Sequence, residues 1–122
     1  YDIMSSDWSS DVCSSDLFEM VEIDPASTIL KSRTILEKIV TRVAAQRLRG
    51  AAPHDLDGKI RRLRQSRVIS NKLCGWMHTV RILGNMMAHP DDDSAQANRE
   101  DALAVVNILL NLIGELVDQE LL

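Results

Sequence analysis

Aromatic residues are nearly missing from this chain: Tyr1, Trp8, Phe18 and Trp76 are all it has. A core built without them must be aliphatic, which suits helix on helix better than packed sheets of aromatic and β-branched strands. Cysteine is scarce as well. Cys13 and Cys74 are too few for a disulfide framework, and no Cys/His cluster has zinc spacing. No apolar run is long or clean enough to span a bilayer; the richest, 102–117, is broken by Asn107, Asn111 and Glu115. These absences lead to the expectation of a soluble protein of a reducing cytoplasm, with no metal and no cofactor. At 122 residues the chain has room for one domain.

The first 17 residues stand apart from the rest. Asp7 to Leu17 reads DWSSDVCSSDL, which back-translates in one frame to a common sequencing adapter. Its Ser-Ser-Asp repeat has no apolar periodicity, so it predicts neither helix nor strand. The alternative is a genuine Ser/Asp-rich disordered tail. Either way, residues 1–17 are expected to be a leader and 18–122 the domain. Asp2, Asp7, Asp11 and Asp16 carry the whole formal net charge of −4, so the remainder is neutral.

From Asp24 onwards the chain is punctuated as helices. Asp24 is placed to cap a helix that opens on Pro25, runs to about Arg49 and stops at Gly50. A short basic helix, about 57–66, carries a thin apolar stripe of Leu56, Ile60 and Leu63. Ser70 caps a third helix, which Pro90 ends at about Ala88. After an acidic loop at 91–93, Asn98 caps the fourth. The pattern predicts an all-α, compact four-helix bundle.

The fourth helix is apolar over an unusually wide arc, because Ile108 and Leu112 extend the side formed by Ala102, Val105, Val106, Leu109 and Ile113. So broad an arc needs more than one neighbour. Ile108 and Leu112 are therefore candidate contacts of a homodimer. An antitoxin-like module that binds another protein through this helix is a further alternative.

Charge is segregated. Thirteen basic residues lie between Lys31 and Arg81, against Glu37, Asp55 and Asp57; eight acidic residues and only Arg99 lie from Asp91 onwards. One reading is that the halves pair across the fold. The other is that Lys59, Arg61, Arg62 and Arg64 meet nucleic-acid phosphates. No aromatic residues are interleaved to stack on bases.

The third helix holds the candidate chemistry. Leu73, Trp76, Val80, Leu83 and Met87 share one face; His78, Arg81, Asn85 and His89 share the other. An Arg, an amide and a His on one face suit a phosphodiester: Arg81 to clamp a phosphate, His89 to exchange protons, Asn85 to orient them. No metal is needed where a 2′-hydroxyl is the nucleophile. Structural roles compete with this reading: His89 before Pro90 capping the last carbonyls, Gly84 allowing a close helix, Arg33 and Glu37 pairing within a turn.

Asp24-Pro25, the segment Lys31–Glu37, Gly58-Lys-Ile60, and above all Val80-Arg-Ile-Leu-Gly84-Asn85-Met-Met-Ala88-His89-Pro90 resemble the HEPN-like family. The resemblance is to a HEPN-clan domain of unknown function, found alone or appended to restriction-type and other defence proteins. It implies a cytoplasmic bacterial helical bundle that dimerises and works with RNA, other nucleic acid or a larger effector protein. Many HEPN domains are metal-independent RNases, whose signature is an Arg, usually followed by a polar residue, with a His four to six residues further along. Asn85 and His89 match; Gly84 stands where the Arg would be, and Arg81 lies one turn earlier. The departure tips the reading towards a binding and dimerisation domain, with a ribonuclease using Arg81, Asn85 and His89 as the rival.

Overall fold

A computed structural model of the chain describes residues 14–89 and 96–122. Among these, five helices and no strands are found: α1 (Ser14–Ile23), α2 (Pro25–Arg47), α3 (Leu56–Gln65), α4 (Asn71–Met87) and α5 (Arg99–Asp118). The expected all-α architecture is present with one helix more than the sequence pattern gave. Cys13, the closing role of Pro90 and the acidic loop at 91–93 lie outside the described residues.

The extra helix is α1. Leu17 and Val21, one turn apart, are 0% and 1% exposed, and both belong to the single core. Glu22 then accepts from Arg99 Nε at 2.5 Å, fastening α1 to the start of α5. A boundary between residues 17 and 18 therefore falls inside a packed helix, whose first turn holds a core leucine.

Capping explains most of the other ends. Asp24 accepts from the Ser27 amide at 3.1 Å and from the Ser27 hydroxyl at 2.7 Å, while Pro25 occupies the first turn without wasting a donor. These two bonds hold the Asp24 carboxyl below the usual carboxylate range. Asp55 caps α3 through the Gly58 amide, and Ser70 caps α4 through Leu73. Asn98 and Asp101 form a reciprocal capping box on α5. Helix α2 ends at Arg47, and Gly50 takes the left-handed φ of 79° within the loop beyond it. At the end of α3, Arg67 takes φ 59° so that the Val68 amide can reach back to Leu63 O at 2.9 Å.

Helices α2, α4 and α5 pack against one another, with α1 laid on α2 and α5, and α3 on α2 and α4. Ile35, Leu36, Ile39, Val40 and Val43 of α2 meet Leu73, Met77 and Val80 of α4 and Val105, Val106, Leu109 and Leu116 of α5 in one buried cluster. The wide arc of α5 is thus covered from inside the subunit, by α1, α2 and α4 together. Leu112 is 0% exposed and has no surface left for a second copy; Ile108 is half-buried. Among the described residues no helix is long and apolar enough to cross a membrane.

Candidate functional site

Helix α4 presents four sides, and each has a different fate. Its inward side is Leu73, Cys74, Met77, Val80 and Gly84, all buried. The expected inward set differs: Trp76, Leu83 and Met87 are only partly buried. The helix is turned towards Gly84 because the stem of Arg33, from α2, lies across that glycine. A Cβ placed on Gly84 would stand 2.6 Å from Arg33 Cβ and 2.8 Å from its Cγ. On the Trp76 side, Lys72 sits over the indole ring and ion-pairs with Glu115 of α5.

The polar flank of α4 faces neither open solvent nor the core. It forms a half-buried seam against α2 and α3. Asn85 Oδ1 accepts from Arg33 Nε at 2.9 Å, and the same guanidinium ion-pairs with Glu37 one turn along α2. One turn before Asn85, Arg81 is only 18% exposed in its side chain. Its Nε donates to His78 Nδ1 at 3.1 Å, and its Nη2 lies 3.8 Å from Asp57 Oδ1. Asp57, in the first turn of α3, also accepts from Arg61 Nε at 2.9 Å.

The electrostatics arise from these contacts. The hydrogen bond from Arg61, helped by the charge of Arg81, holds the Asp57 carboxyl below its ordinary range. Burial, and then the Arg81 charge, push His78 below the usual imidazole value, outweighing the pull of Asp57. A neutral His78 that accepts at Nδ1 carries its proton on Nε2. The seam therefore joins three helices through charges that already have partners.

The seam separates the residues predicted to act together. Arg81 and Asn85 share the flank but hold different partners, Arg81 the His78/Asp57 pair and Asn85 the Arg33/Glu37 pair. His89 lies exposed past the last turn of α4, with its backbone N–H bonded to Met86 O at 3.3 Å. Of the four cations predicted to meet phosphates, Lys59 donates to Thr41 Oγ1, Arg61 to Asp57 and Arg64 to Asn71. Arg62 alone of these four is exposed with no side-chain partner among the described residues. Among the described residues, Lys72 ion-pairs with Glu115 across the basic and acidic halves, and Arg47 donates to the backbone carbonyl of Glu120.

Arg33, Asp57 and His78 belong to the seam although none was among the predicted site residues. Arg33 does pair with Glu37 as expected, but its Nε also reaches a residue 52 positions away. Only the glycine at 84 hinted at such an approach. Where the seam meets the start of α3, a cleft of about 280 Å³ opens between Arg33, Glu37 and Thr41 on one wall and His54, Asp55 and Lys59 on the other. Among the described residues no group of three or more His, Cys, Asp or Glu side chains is placed to hold a metal ion.

Residues 15–120 match the family model described as Domain of unknown function (DUF4145). Comparison with curated proteins and with solved structures gave no match.

Proposed function

We propose that this chain, which belongs to the DUF4145 family of domains of unknown function, is a helical docking domain that pairs with a second copy through the outward side of α4. The observation that carries this is the exposure of Ile82 (48%) and Met86 (38%), one turn apart on the side opposite the core. Gly75 and Thr79 continue the same line towards the start of the helix, and no position on it is charged. At a two-fold axis each residue meets its own copy, so a charge there would face a like charge; an uncharged stripe suits self-association. Gly75 also weakens the helix by about 1 kcal/mol relative to alanine, yet no atom of the subunit crowds it. A close neighbour from outside would account for it.

The resemblance of 80–90 to HEPN-like domains supports placing such a dimer with a larger defence or nucleic-acid-processing system. Catalysis through Arg81 is disfavoured, since Asp57 and His78 already engage that guanidinium. The rival, a metal-independent ribonuclease at a dimer cleft through Arg81, Asn85 and His89, draws on one observation. His89 is exposed and falls in line with Ile82 and Met86, so pairing along α4 would bring it to the interface.

Light scattering coupled to size exclusion at micromolar protein decides the first reading. A dimer is expected for the native chain and a monomer for Ile82→Glu. A native chain that is strictly monomeric sinks the proposal. RNA cleavage in EDTA that His89→Ala abolishes, with the fold kept, would instead favour the rival.

A further inference from the structure

We infer that the cleft at the α2–α3 junction is a binding site for a small phosphate monoester, with Lys59 as its anchoring cation. The cleft opens between α2 and α3 and not on the outward side of α4, so dimerisation there leaves it open.

The charged groups of the cleft differ in whether they already have partners. Glu37 is ion-paired with Arg33, whose Nε is further engaged by Asn85. The Asp55 carboxylate accepts from the Gly58 amide at 3.1 Å, as the cap of α3. Lys59 is different. Its ammonium crosses the cleft to donate to Thr41 Oγ1 at 3.1 Å, and it makes no ion pair with any carboxylate among the described residues. Asp55 stands one turn away at the start of the same helix, yet the ammonium turns from it to a neutral hydroxyl. A half-buried cation held by one hydroxyl keeps two N–H donors and a full charge for a ligand.

The surroundings match a phosphate group better than a carboxylate or an amine. Thr41 can add its own hydroxyl as a donor once an acceptor oxygen arrives, and His54 stands exposed on the wall facing α2 as a further donor. Three donors from different elements line one cleft, a number that suits the three terminal oxygens of a monoester. A free amine would meet Lys59 as a like charge. The volume, about 280 Å³, admits a sugar phosphate but not a folded polynucleotide.

Calorimetric titration of the full chain with ribose 5-phosphate and with inorganic phosphate, at constant ionic strength, tests this. Saturable binding is expected, stronger for the sugar ester if the whole cleft is used. Lys59→Gln should weaken it by about tenfold or more, the loss of one charge-assisted contact. Thr41→Val should weaken it less, while Lys72→Gln, on the far side of α4, should leave it unchanged. Amide shifts on titration should centre on α2 around Thr41 and on residues 54–59. Absence of saturable binding overturns the site, and so does a Lys59→Gln protein that is folded and binds as the native chain does.

Discussion

Replacing Gly84 by alanine should destabilise the fold, although alanine is the better helix former. The new methyl would meet Arg33 at Cβ and Cγ, 2.6 and 2.8 Å away. A flexible tip could swing aside, but Arg33 Cβ is fixed to the backbone of α2, so α2 and α4 must move apart. Overpacking of this kind costs about 1–3 kcal/mol. Separation also stretches the Arg33–Asn85 hydrogen bond, a further loss of about 1 kcal/mol. Against this stands a gain of about 1 kcal/mol from helix propensity, leaving a net loss of roughly 2 kcal/mol. For a domain near this size each kcal/mol moves Tm by about 4 °C, so thermal unfolding should fall by about 8 °C. Gly114→Ala is the control, since nothing lies within 4 Å of the added methyl; it should hold or raise Tm. In an Arg33→Ala background the cost of Gly84→Ala should shrink without vanishing, because the contact with Cβ remains. A Gly84→Ala protein as stable as the native chain would refute the helix packing described for α2 and α4.

Other expectations come from the seam and from α1. His78 is held below its ordinary value, so the unfolded chain binds more protons than the folded one as pH drops through the usual imidazole range. Its contribution is complete above about pH 6.5 and declines as pH falls from there towards the lower folded value. Urea titrations at pH 7.5 and 5.5 should show that loss, and His78→Gln should reduce it; an unchanged slope would remove His78 as its source. Leu17→Ala should cost about 3 kcal/mol by the cavity it leaves, read as a drop in the urea midpoint. No effect would mean that α1 does not dock as described.

The caps were legible because cap chemistry is local. Asp24 with Pro25, Ser70 and Asn98 each settle a helix start within three or four residues. Cap residues need only the amides just beyond them, so no tertiary knowledge enters. The α1 helix was hidden because its first turn lies in the foreign-looking segment, although Leu17, Phe18, Met20, Val21 and Ile23 give it an apolar pattern. That omission made the apolar arc of α5 look too wide for one subunit, and it sent the dimer expectation to Ile108 and Leu112. The orientation of α4 was unreadable for a different reason. Spacing alone puts Trp76, Leu83 and Met87 inward as readily as Met77 and Gly84. What decides is the stem of Arg33 lying where Gly84 has no side chain, a contact between residues distant in sequence. The same contact gives Asn85 a partner on α2, and Asp57 gives Arg81 one on α3, neither of which spacing could foresee.

Helix α3 is ten residues long and rests on Leu56, Ile60 and Leu63. Too short to persist alone in water, it owes its existence to that footing and to the links from Lys59 to Thr41 and from Asp57 to α4. Lifting it from the bundle uncovers those three core side chains and leaves α2, α4 and α5 packed, so α3 is expected to open before the three central helices do. One wall of the cleft thus sits on a helix expected to exchange its amides ahead of α2, α4 and α5. Whatever bridges Lys59 to α2 slows that exchange, turning occupancy into rigidity.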